Sequence, residues 1–89
     1  MKEDVKEEIE VKEKKDTPLF LYILNDDINE YAYVIHLLIS ICNLEPIQAE
    51  QCVYISHHKG ECDVKKGSYS ELKILKNRLI EKGLGVIIR

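Results

Sequence analysis

Between an apolar run, Leu19 to Leu24, and a second apolar stretch that begins near Tyr31, the chain sets Asn25, Asp26 and Asp27 side by side. An amide and two carboxylates offer hydrogen-bond acceptors, and a carboxylate adds negative charge. The same residue types make ordinary turns, because their side chains bond to nearby backbone. Either Asp27, with Glu30 three residues on, or Asn29 would cap a following helix. His57 and His58 stand just before Gly60, where a helix C-terminus favours a cationic ring. Asp26, His57, His58 and Cys62 contain three ligand types, but zinc sites favour closely paired ligands in sets of four, and this spacing does not supply them. No nucleophile-base motif, glycine-rich phosphate loop or internal repeat is present, so the chain reads as a binding protein and not as an enzyme, with no metal and no cofactor.

The surrounding chain narrows the ligand class. Thirteen Lys and Arg stand against sixteen Asp and Glu, a formal net charge of -3, which gives none of the clustered positive charge that nucleic acid requires. No apolar run approaches the roughly 20 residues of a membrane span, and the first residues are charged where a secretion signal would be apolar. A cytoplasmic protein is expected. Cys42, Cys52 and Cys62 are odd in number, spaced ten apart and without a C-x-x-C unit, so they are expected to be reduced thiols.

Residues 1 to 16, MKEDVKEEIEVKEKKD, hold twelve charged residues and four apolar ones, too few to offset the entropy of ordering the segment. Residues 1–17 are therefore expected to be a disordered charged tail, and residues 18–89 one small domain. LFLYIL predicts a central strand buried on both faces. Val34, Leu37, Leu38, Ile41 and Cys42 predict a helix from about Glu30 to Asn43. Pro46 suits the first turn of a second helix that ends before Gly60, with Ala49, Cys52, Val53 and Ser56 along one edge. Glu61 to Val64 reads as an edge strand and Lys65-Lys66-Gly67 as a turn. Ser68 with Glu71, or Ser70 alone, caps a third helix with Leu72, Leu75 and Leu79 as its stripe, running up to Gly83. Val86 to Ile88 is a last strand. The order β-α-α-β-α-β predicts an α+β sandwich, with three helices on one face of a three-stranded antiparallel or mixed sheet.

Three stretches of this frame resemble the ClpS adaptors, which select substrates for the AAA+ partner of the Clp protease. Leu24-Asn25-Asp26-Asp27 is similar to the family's V-N-D-D. AEQCVYISHHKG, Ala49 to Gly60, is similar to A-x-x-x-M-x-x-V-H-x-x-G, and Gly67 to Glu71 to its G-x-[FY]-[ST] lead into the last helix. The likeness runs over about residues 19 to 89, without a gap between Asn25 and Gly60.

The resemblance implies an adaptor that binds proteins beginning with Leu, Phe, Tyr or Trp and delivers them to a ClpA-like or ClpC-like unfoldase. It puts the amine-binding residues on Asn25, Asp26 and His57, and His57 over His58 because it lies three before Gly60. An amide oxygen, a carboxylate and a neutral ring nitrogen suit a free α-ammonium, whose pKa is about 7.7 to 8.0. Pocket walls fall on Asn29, Tyr31, Val34, Val53, Ser56 and Leu84, and Asp27 becomes a helix cap or a support behind the site. Unfoldase contacts fall on Glu71 and Lys76, and the charged tail is similar to the family's extension that engages the unfoldase. Where the family commonly has Thr, Met, Met and Val, this chain has Asn29, Tyr31, Val53 and Ser56. Val53 is expected to deepen the pocket, Ser56 needs a hydrogen-bond partner if buried, and Tyr31 either closes the mouth, stacks on an incoming ring or simply packs on the surface of the first helix. The competing expectation is an interaction domain like the C-terminal domain of the ribosomal stalk protein, with the same fold and no recognition of a chain's first residue.

Overall fold

The computed structural model of the protein describes residues 18–89, and the tail expected over 1–17 lies outside them. Six elements follow the predicted order: β1 (Leu19–Leu24), α1 (Tyr31–Cys42), α2 (Pro46–Lys59), β2 (Glu61–Gly67), α3 (Tyr69–Glu81) and β3 (Val86–Ile88). β1 lies at the centre of an antiparallel sheet of order β2-β1-β3. The three helices cover one face, so the class is α+β, as the sequence pattern requires.

Side-chain alternation decides which face is covered. Leu21 and Ile23 of β1 point into the core with Val64 and Val86 from the flanking strands. Phe20, Tyr22 and Leu24 are only half-buried, so β1 is not enclosed on both faces as its apolar run suggested. Aromatic residues shield the open face instead: the Phe20 and Tyr22 ring centroids are 6.4 Å apart, and the Arg89 guanidinium lies 4.5 Å over the Tyr22 ring while pairing with Glu61.

The helices bury the predicted stripes. Val34, Leu37, Leu38 and Cys42 of α1 are buried, and Ile41 is half-buried beside them. α2 buries Ala49, Cys52, Val53 and Ser56, and α3 buries Leu72 and Leu79. Each fully buried aliphatic side chain contributes about 1.5 to 3 kcal/mol. α1 ends at Asn43 in the left-handed region, which makes the tight corner into Pro46.

Two local expectations are corrected. Lys65-Lys66-Gly67 continues β2 and does not turn: the three residues pair with Leu21, Phe20 and Leu19 beyond a register shift between Leu21 and Tyr22. The shift restores pairing past an irregular step, and lysine is well suited to an exposed edge. α1 begins at Tyr31 and its N-cap, Glu30, makes no side-chain cap, so neither Asp27 nor Asn29 caps it. α3 does carry the expected reciprocal cap, with Ser68 Oγ accepting from Glu71 N–H at 3.3 Å and Glu71 accepting from Ser68 N–H at 3.2 Å.

Burial also governs the thiols, which are all free. It pushes Cys42 up to about 11 and raises Cys52 and Cys62 as well, so they are neutral and poorly nucleophilic at neutral pH. No helix among the described residues is long and apolar enough to cross a membrane.

Candidate functional site

The end of β1 is held from two sides. Leu24 N–H donates to the Gly85 carbonyl at 2.9 Å, and Asn25 N–H donates to the Gly60 carbonyl at 2.8 Å. Gly60 closes α2 at φ +97°, a conformation that L side chains rarely adopt, and its own N–H donates to Ser56. The loop after β1 is thereby fixed against the C-terminus of α2 and the approach to β3.

Asp26 organises that loop. Its Oδ1 accepts from the backbone N–H groups of Ile28 and Asn29, both at 2.8 Å, and its Oδ2 accepts from Asn29 Nδ2 at 2.7 Å. Partial burial works to raise the carboxyl pKa, but the bonds from Asn29 and Ile28 outweigh it and lower the pKa below the ordinary 3.8. Asp26 is thus a fixed anion, and each carboxylate oxygen has two acceptor positions, which leaves Oδ2 room for a further donor. Asn25 Nδ2 lies 3.5 Å from Asp27 Oδ1, a long contact that turns the amide oxygen away from Asp27.

Asn25, Asp26 and His57 line the rim of one hollow. Its apolar wall is built by Val34 of α1, Val53 of α2 and Leu84, all buried. Ser56 is buried in the same wall, and its Oγ donates to the Val53 carbonyl at 2.9 Å, which supplies the partner its burial requires. Tyr31, at the start of α1, also lines the hollow, with its ring edge-on to His57, centroids 5.5 Å apart and planes at 73°. The residue is 42% exposed.

Asn29 does not form part of the wall as expected. It stands behind Asp26 and also donates to the Gly83 carbonyl at 3.3 Å, bridging the loop to the segment that carries Leu84. Asp27 is exposed. Glu71 and Lys76 lie on α3, outside the hollow, and Glu71 takes part in the α3 cap. Ile23, Leu24 and Gly85 also line the hollow and were not anticipated. Leu24 adjoins Asn25 in the chain, whereas no spacing in the sequence brings Gly85 to the site.

The free interior amounts to about 10 Å³, about the ~10–15 Å³ that one water needs. Tyr31 is at once part of the lining and partly exposed. Among the described residues no three His, Cys, Asp or Glu side chains gather as metal ligands would.

The fold is similar to a solved structure described as Agrobacterium tumefaciens ClpS2 bound to L-phenylalaninamide, with a TM-score of 0.70 and 17% sequence identity over 81% of this chain and 94% of that one. No curated protein matches the chain. The family model of the ATP-dependent Clp protease adaptor protein ClpS matches residues 14–86, from before β1 into β3. This chain belongs to the ClpS family, the adaptors of the Clp protease.

Proposed function

We propose that the hollow takes the first residue of a substrate protein, and that the domain delivers that protein to a ClpA-like or ClpC-like AAA+ unfoldase in the cytoplasm. The α-ammonium of the substrate donates to the Asn25 amide oxygen, Asp26 Oδ2 and the His57 ring. A bulky first side chain, Leu, Phe, Tyr or Trp, displaces Tyr31 and packs against Val34, Val53 and Leu84. The observation that carries this reading is a fixed carboxylate, an amide and an imidazole on the rim of one apolar hollow. L-Phenylalaninamide, the ligand named for the ClpS2 structure, has the same free amine and an aromatic side chain.

Each hydrogen bond to a charged group contributes about 1.5 to 3 kcal/mol. Burying a large apolar side chain adds about the same. Micromolar binding needs about 8 kcal/mol, so neither contribution suffices alone. Glu71 and Lys76 of α3 serve as unfoldase contacts in this reading, and residues 1–17 as the segment that engages the unfoldase during delivery.

Fluorescence anisotropy tests the site directly. A peptide beginning with Phe binds at least tenfold more tightly than the same peptide acetylated at its amine, and more tightly than one beginning with Ser. Equal binding of the free and acetylated peptides refutes amine recognition. The small free interior of the hollow favours a second reading, an interaction domain of the ribosomal-stalk type that takes no chain end. That reading is supported if Phe-first and Ser-first peptides bind alike.

A further inference from the structure

Four rings form a continuous path that begins at the mouth of the hollow and leaves it along α2. Tyr31 meets His57 at 5.5 Å, His57 meets His58 at 5.2 Å, and His58 meets Tyr54 at 4.1 Å with planes at 35°. His58 is held in place by its own helix, with Nδ1–H donating to the Tyr54 carbonyl at 2.9 Å. The far end of the path is open: Tyr54 is 58% exposed and opens onto a surface hollow shared with Ile55, Gln51 and Glu50. Solvent-facing positions on a surface helix are ordinarily polar, yet here Ile47, Tyr54 and Ile55 are all exposed.

Resting on the reading that the hollow binds a chain's first residue, we propose that the His58–Tyr54 stack is a second subsite, which takes an aromatic side chain at the third residue of the bound chain. The argument is one of reach and direction. An extended chain rises about 3.3 Å per residue and places alternate side chains on the same face. With the first side chain in the hollow, the second points away from the protein and the third points back toward it, roughly 7 Å farther on. From His57 at the mouth, the His58 ring lies 5.2 Å away and the Tyr54 ring one further step of 4.1 Å, so the stack is within reach of that advance. Flat rings already held at a tilt present a face and an edge to an incoming ring, the geometry in which aromatic pairs attract. Continuity of the rings with the mouth selects the bound chain itself as the occupant.

The test uses three peptides that begin with Phe: one with Phe at the third position, one with Ala there, and the Phe-third peptide acetylated at its amine. The wild-type protein binds the Phe-third peptide about 3- to 10-fold more tightly than the Ala-third peptide. In the Tyr54→Ala/His58→Ala variant, which alters only exposed positions, that ratio falls to about one while the melting temperature is unchanged. If the wild type binds both free peptides equally and acetylation still abolishes binding, the second subsite is refuted and amine recognition stands. If acetylation changes nothing, amine recognition fails and the subsite that rests on it fails too. A ratio that survives in the variant also overturns the proposal, because the preference would then reside elsewhere.

Discussion

At the scale of single residues the site turns on Asp26, which keeps the loop together and presents its charge at the rim. A carboxyl pKa lowered by folding adds stability above its unfolded value, near 3.8, and that stability is lost as pH falls through the lower folded value. The wild type should therefore melt above Asp26→Asn at pH 7, and the gap should close as pH falls through the lowered folded value. A gap that persists in acid would mean that the bonds from Asn29 and Ile28 do not depend on ionisation. Tyr31 acts in the opposite sense: if its ring must move before a ligand enters, binding carries the cost of the closed state. Tyr31→Ala should then bind a Phe-first peptide about 3- to 10-fold more tightly, read by anisotropy, and weaker binding would instead make the ring part of the ligand's surroundings. The sequence made Asn25 and Asp26 visible as a polar triplet between two apolar runs, and a resemblance paired them with His57. The place of Asn29 was not legible, because spacing does not say whether an amide faces the hollow or stands behind a carboxylate.

At the scale of elements, two helix ends separate stability from site geometry. Ser68 caps α3, away from the hollow, so Ser68→Ala should cost about 1 kcal/mol and leave peptide binding intact. Gly60 closes α2 in a left-handed conformation and accepts the Asn25 N–H. Gly60→Ala should cost about 1 to 2 kcal/mol and also weaken binding, because the strained turn shifts the loop. Urea unfolding and peptide titration of both variants check the contrast, and equal effects on binding would refute it. The three helices were legible because their apolar stripes recur at helical spacing and Pro46 and Gly60 bound the second. β2 was read too short because two lysines followed by glycine resemble a turn, although they suit an edge strand equally well. The enclosure of β1 was overestimated because an unbroken apolar run does not distinguish a buried face from one shielded by Tyr22 and Arg89.

For the molecule as a whole, the described domain is 72 residues with a single core, so its stability is sensitive to individual side chains. Leu79 is fully buried where α3 meets the rest of the core. Leu79→Ala should cost about 2 to 5 kcal/mol out of a total on the order of 5 to 15. The melting temperature should drop by about 10 °C or more, measured by circular dichroism, and a drop of a few degrees would mean that the core collapses around the gap. The architecture was legible in outline because the order of elements leaves few ways to bury three helical stripes on one small sheet. The small free interior of the hollow was not, since it depends on how side chains far apart in the sequence pack together around it.

Asn29 joins the loop that carries Asp26 to the Gly83 carbonyl, just before Leu84 and β3. A single side-chain amide therefore ties the electrostatic anchor near the start of the domain to the segment of Leu84 near its end, one part of the greasy wall. Movement of either segment must therefore stretch or break that bridge.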